Sequence, residues 1–285
     1  TALFYRHWPA LQPGAKKVIV LFHRGHEHSG RLQHLVDELA MPDTAFYAWD
    51  ARGHGKTSGP RGYSPSLARS VQDVDEFVRF AASDSQVGLE EVVVIAQSVG
   101  AVLVATWVHD YAPAIRGLVL ASPAFKVKLY MPLARPALAL WHRLRGLFFI
   151  NSYVKGRYLT HDRQRVASFN NDPLITRAIA VNILLDLYKT SERIIRDAAA
   201  ITLPTQLLIS GDDYVVHRQP QIDFYQRLRS PLKELHLLPG FYHDTLGEEN
   251  RAQAFEKMQS FISRLYANKS QKFDYQHEDR TGPSA

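Results

Sequence analysis

The run Val92-Val-Val-Ile-Ala-Gln-Ser98-Val-Gly100-Ala-Val-Leu-Val104 is apolar up to Gln97, turns through small residues at Ser98, and becomes apolar again. A serine hydroxyl is a weak nucleophile in water, so a catalytic one must sit on a sharp turn, facing a base and beside backbone N–H donors. Ala96-Gln97-Ser98-Val99-Gly100 fits such an elbow, with alanine where the usual pattern has its first glycine. Alone, Ser98 reads equally well as an ordinary strand-turn-helix serine. Two later loops change that. Gly211-Asp212-Asp213 follows the apolar run Gln206 to Ser210, and Phe241-Tyr242-His243 follows Leu235 to Leu238. Serine, then carboxylate, then histidine supplies a nucleophile, an orienting acid and a base. Asp213 is preferred to the adjacent Asp212, which stays open. His243 has a rival reading as a loop histidine, and Asp50, Asp223 and Asp244 read as structural or solvated carboxylates. His23, His26 and His28 crowd together after another apolar run, but no matched further ligands accompany them, so no metal is assigned.

These residues need a scaffold that brings distant loops to one edge. Strands are expected at Val18 to Phe22, Ala45 to Trp49, Val92 to Ala96, Leu118 to Ala121, Gln206 to Ser210 and Leu235 to Leu238. Most are short and almost continuously apolar, as in a sheet covered on both faces. Helical composition and period mark several of the other segments, notably Leu67 to Ala81 and Ala252 to Leu265, and a helix apolar on nearly every side, as if buried against the sheet, is expected at Ala101 to His109. The alternation predicts an α/β fold with a doubly wound, mostly parallel sheet. Loops after parallel strands open on one edge, so Ser98, Asp213 and His243 would converge there.

The 80 or so residues between Ser122 and Gln206 exceed what one crossover helix needs. They read as an inserted, mainly helical cap over residues 124–200, on a core formed by 1–123 and 201–267, with 268–285 a polar tail or linker. The cap carries 13 Lys and Arg against 5 Asp and Glu, a net +8, while the remainder has 21 against 23, a net −2. No nucleic-acid motif accompanies this basic segment, so nucleic acid is not an expected partner; an anionic substrate or lipid surface fits better. Pro132 to Phe149 mixes leucines, Trp141 and arginines. It reads as a helix packed on the core with a basic outer face, or else as a surface lining an acyl pocket or touching membrane.

With 285 residues and 46% hydrophobic content the chain can build one large core. The absence of cysteine excludes disulfides, thiol nucleophiles and zinc–thiolate sites. No leader pattern opens the chain and no apolar run reaches about 18 residues, so a cytoplasmic protein is expected, peripheral to the membrane at most, although a leader removed ahead of Thr1 would change that.

The chain resembles the monoacylglycerol lipase and lysophospholipase branch of the α/β-hydrolases, often grouped with serine aminopeptidase-like hydrolases. The resemblance rests on Phe22-His23-Arg24-Gly25-His26-Glu27-His28-Ser29-Gly30-Arg31, on Asp50-Ala-Arg52-Gly53-His54-Gly55-Lys-Thr-Ser58-Gly59, on the elbow, and on the Asp213 and His243 loops, over residues 16 to 265. It implies a triad of Ser98, Asp213 and His243, and an oxyanion hole from the backbone N–H groups of Arg24 and Val99. Arg24 stands where the family has glycine. Its side chain, with the basic cap, suggests a cation at the site mouth and an anionic substrate such as a lysophospholipid. The implied activity is cofactor-free hydrolysis of a small-molecule carboxylic ester, such as a monoacylglycerol or lysophospholipid, through an acyl-enzyme. Peptide or amide hydrolysis would use the same groups. A hydrolase-fold binding module within a longer lipid-handling protein is a different class of reading, prompted by the linker-like tail, and a metal-dependent hydrolase is a third, prompted by the histidines.

Overall fold

The computed structural model describes residues 2–129 and 133–267. The chain opens with β1 (Tyr5–Trp8), β2 (Lys17–Phe22), α1 (Gln33–Leu39), β3 (Thr44–Trp49), α2 (Leu67–Asp84), β4 (Val92–Gln97), α3 (Val99–Tyr111) and β5 (Gly117–Ala121). A long excursion follows, with α4 (Ala134–Arg145), β6 (Phe149–Asn151), α5 (Arg163–Asn171), β7 (Ala178–Ala180) and α6 (Val181–Arg196). The chain then returns through β8 (Thr205–Ser210), α7 (Gln219–Arg227), β9 (Lys233–Leu238) and α8 (Ala252–Ala267).

The apolar strands are explained by what covers them. In β2, Val18, Val20 and Phe22 pack in the core shared with α2 and α3, whereas Ile19 and Leu21 pack in the opposite core with α1 and α8. Side chains alternate across a strand, so two covered faces demand a continuous apolar run. Helix α3 is buried continuously from Gly100 to Val108, which accounts for its lack of a polar face.

The seven strands run in the order β1-β3-β2-β4-β5-β8-β9. All neighbours are parallel except β1 and β3. The chain moves outward from β2 to β3 on one side and from β4 to β5 on the other. The loops leaving β2 and β4 therefore part at the carboxyl edge, and such a switch point forms a natural ligand crevice. The expected α/β-hydrolase architecture is the one observed.

Two features were not anticipated from the sequence. Strand β1 is a four-residue antiparallel edge strand, half-exposed along its length. The excursion also contains an antiparallel pair, β6 with β7, of three residues each. The packed-helix expectation for the segment ending at Phe149 is corrected: α4 has no buried residue, and Leu140, Trp141 and Leu144 are 60%, 49% and 71% exposed. No helix among the described residues is long and apolar enough to cross a membrane. The anticipated polar tail, 268–285, lies outside the described residues, as does Pro132.

Candidate active site

Ser98 occupies the single residue between β4 and α3, with φ 57° and ψ −118°. A non-glycine residue rarely adopts such a backbone, and it persists only where the surroundings over-determine it. Here the Ser98 N–H donates to the Ala121 carbonyl at 2.9 Å, while the Ser98 carbonyl accepts from Ala124 at 3.1 Å and Val102 at 3.2 Å. Gly100 is required by contact: a Cβ there would lie 2.5 Å from the His23 carbonyl oxygen. Ala96 instead sits within β4, buried and in register with Phe22 and Leu120, so alanine is accommodated.

The Ser98 hydroxyl lies 2.8 Å from His243 Nε2, and His243 Nδ1 lies 2.7 Å from Asp213 Oδ2. All three side chains are buried. With its Nδ1–H donated to the carboxylate, the imidazole leaves Nε2 free to accept the serine proton. The other Asp213 oxygen accepts from the amides of Val215 at 2.7 Å and Val216 at 2.9 Å. Burial pushes the Asp213 carboxyl up, but the facing His243 and these amides prevail and hold it below the usual carboxylate range. Asp212 is exposed, and its amide donates to the Phe241 carbonyl. Of the two adjacent aspartates, Asp213 is the one that meets the histidine.

Arg24 and Val99 line the same cavity as Ser98 and His243, and neither backbone amide has an acceptor among the described residues. His23, one residue earlier, fixes the loop: its Nδ1 lies 2.7 Å from the Arg24 carbonyl, and its Nε2 accepts from the Ala51 amide at 3.1 Å. The expected cation at the site mouth is not there. The Arg24 guanidinium is buried, doubly hydrogen-bonded to Glu27 at 2.6 and 2.8 Å, 3.4 Å from Asp244, and stacked over Phe169. Glu27 also accepts from Arg31 at 2.6 Å. Burial pushes the Glu27 carboxyl up, yet the two arginines overcome it and set it at about 2. A guanidinium neutralised in this way offers nothing to an anionic substrate.

A cavity of about 170 Å³ opens above Ser98. Much of its wall comes from the excursion, including Val127, Leu129, Ile150, Val154, Leu159, Phe169, Ile179, Leu184 and Leu187. Its polar lining includes His26 and His54, which burial lowers to about 4 and about 3, so both are neutral at pH 7. No aspartate or glutamate lines it among the described residues, and no side chain of α4 does. The crowded histidines disperse: His28 Nε2 lies 2.9 Å from Asp172, while His26 faces the cavity. Among the described residues no group of three or more His, Asp or Glu is placed to hold a metal ion.

Residues 13–250 match the family described as Serine aminopeptidase, S33. The chain belongs to that family. It is 98% identical to YnbC of Escherichia coli (strain K12) over 285 residues, which is 100% of this chain and 49% of that one, so it spans about half of that relative's length. It is 25% identical to Phospholipase YtpA of Bacillus subtilis (strain 168) over 260 residues, covering 89% of this chain and 97% of YtpA. The crystal structure of Paleococcus ferrophilus monoacylglycerol lipase shares the fold with a TM-score of 0.83 at 20% identity, covering 93% of this chain and 100% of that one.

Within this family member, sequence reasoning missed the contacts behind these residues, although it read Asp244 as a structural or solvated carboxylate. Gln97 donates to the His243 carbonyl at 3.1 Å, and Asp244 pairs with Arg165 of α5 at 2.9 Å. Glu27, three residues after Arg24, was the one legible sign that the arginine would be paired.

Proposed function

We propose that the protein is a serine hydrolase that cleaves a carboxylic ester through an acyl-enzyme. One observation carries the reading: Ser98, His243 and Asp213 form a continuous hydrogen-bonded chain at the floor of an apolar cavity. His243 Nε2 takes the Ser98 proton as Oγ attacks the acyl carbonyl, and the Asp213 carboxylate stabilises the resulting imidazolium. The Arg24 and Val99 amides receive the oxyanion, where one such donor contributes about 3–4 kcal/mol in comparable enzymes. Collapse of the tetrahedral intermediate breaks the ester C–O bond, and His243 returns its proton to the departing alkoxide. Water, deprotonated by His243, attacks the acyl-enzyme, and as the acyl–Oγ bond breaks His243 returns that proton to Ser98 Oγ, freeing the acid.

The substrate class in this reading is a fatty acyl ester of the monoacylglycerol or lysophospholipid type. The apolar cavity walls suit an acyl chain, and the neutral His26 and His54 place no charge beside it. Residues 124–200 act as a cap inserted into a core of 1–123 and 201–267. The exposed apolar residues of α4, beside the exposed Arg143 and Arg145, make peripheral contact with an anionic membrane from the cytoplasmic side. Arg24 has no part in recognising an anionic substrate.

The family's name also admits cleavage of an amino-terminal peptide bond. An α-ammonium group is usually held by a carboxylate, and the described cavity lining has none, which favours the ester. Labelling with a fluorophosphonate probe tests the proposal, alongside Ser98→Ala and a parallel sample with chelator. Labelling that is lost in the variant and indifferent to chelator is expected. Intact, folded protein that takes no label would leave the binding-module reading in its place.

A further inference from the structure

Asp244 follows the candidate base directly, yet its carboxylate does not face the cavity. It is buried and meets a group from the elbow, from the oxyanion loop and from the cap, while itself lying on the histidine loop. Its Oδ1 accepts from Gln97 Nε2 at 3.3 Å, and Gln97 immediately precedes Ser98. Its Oδ2 lies 3.4 Å from Arg24 Nη2 in the oxyanion loop. The same oxygen accepts from Arg165 Nε at 3.1 Å and Nη2 at 2.9 Å, which brings in α5 of the cap. A backbone bond reinforces that link, because the Asp244 amide donates to the Leu159 carbonyl at 2.7 Å.

Space is reserved for this arrangement. A Cβ on Gly247 would lie 2.3 Å from both Arg165 Nε and Asp244 Oδ2, so the pair occupies volume that a side chain would otherwise fill. Breaking a buried pair on one side leaves the other charge uncompensated, which makes the junction resistant to small rearrangements.

We propose that Asp244 is a positioning residue that locks the elbow, the histidine loop and the oxyanion loop to one another, and that Arg165 is the cap's handle on that lock. Seating α5 then fixes the distances among Ser98, His243 and the Arg24 amide, so that full turnover needs the cap in place. Displacement of reacting groups by about 1 Å can cost on the order of a hundredfold in rate. The inference rests on the serine-hydrolase reading above.

The test measures kcat and KM for a short p-nitrophenyl ester in Asp244→Asn, Arg165→Gln and Arg165→Lys, with kcat normalised to the serines titrated by fluorophosphonate. Normalisation removes any loss due to misfolded protein. We expect kcat to fall about tenfold or more in Asp244→Asn and Arg165→Gln with KM within about twofold, the signature of lost transition-state stabilisation, and partial recovery in Arg165→Lys. Arg165 is only partly buried, so its variants carry the test if Asp244→Asn does not fold. Wild-type kcat per titrated serine in Arg165→Gln, with lowered thermal stability alone, would overturn the positioning role. Wild-type protein that neither labels nor turns over the ester would instead overturn the hydrolase reading beneath it.

Discussion

At the carboxyl edge of the sheet, Ser98, Asp213 and His243 are nearly excluded from solvent, and their side chains are bonded to one another and to backbone amides. On α4 the reverse holds: Leu140, Trp141 and Leu144 are open to water and no residue of the helix is buried. Both regions belong to one chain that could have hidden its leucines and exposed its aspartates. The edge is fixed by folding, so a change there alters the chemistry. The helix contributes little to folding, so a change there alters only what the protein meets.

The largest effect should follow from removing the proposed nucleophile. Ser98→Ala is expected to lower kcat by about 10⁵–10⁶-fold with the melting temperature nearly unchanged, as single-turnover assays and calorimetry would reveal. Asp213→Asn should cost about 10⁴-fold in kcat because the imidazole loses the partner that sets its tautomer, whereas Asp212→Asn at the exposed neighbour should leave kcat alone. Equal losses in the two would break the contrast between buried and exposed aspartates.

Acid should act on the edge before the helix. His26 and His54 lie at about 4 and about 3 in the folded state, below an unfolded value of 6.5. The unfolded chain therefore takes protons first. Stability is complete above pH 6.5 and is lost as pH falls towards those values, by about 3 kcal/mol for His26 and up to about 5 kcal/mol for His54. Glu27, at about 2, adds a second loss below about pH 4.5. Urea melts across pH 4 to 8 would register the first phase, and His54→Asn should shrink it, leaving the share of His26.

The smallest effect on the folded protein is expected on α4. Replacing Leu140 and Leu144 by serine should change stability by within about 0.5 kcal/mol and leave turnover of a soluble short ester intact. Sedimentation with vesicles containing anionic lipid should nevertheless drop, since each buried methylene contributes about 0.8 kcal/mol to insertion. Unchanged vesicle binding would erase the assigned difference between the two regions.

Much of this arrangement was legible in the sequence, for identifiable reasons. Five of the six expected strands announced themselves because a sheet covered on both faces needs unbroken apolar runs, the edge strand β9 by its leucines, and the candidate residues stood in the loops after four of the six. Strand β1 did not, because a four-residue, half-exposed edge strand has too little pattern, and β6 and β7 are shorter still. Asp213 could be favoured over Asp212 but not separated from it, since the direction each side chain takes depends on the turn between β8 and α7. The fate of Arg24 was hidden for another reason. Glu27 offered a local partner, but the second one, Asp244, is 220 residues away, and the burial that turns the guanidinium from the cavity has no local signal.

One consequence lies in how the excursion is hung. Strands β5 and β8 are hydrogen-bonded neighbours, with Leu118 opposite Thr205, although the whole of α4 to α6 separates them in sequence. The sheet closes over that gap as it would over a short turn, and doubling such a loop costs only about 0.6 kcal/mol in closure entropy. A lineage could therefore lengthen, shorten or replace the segment, and with it much of the cavity wall, while the sheet kept its register. Any replacement would have to meet the partners that Arg165 and Asp172 now supply to Asp244 and His28.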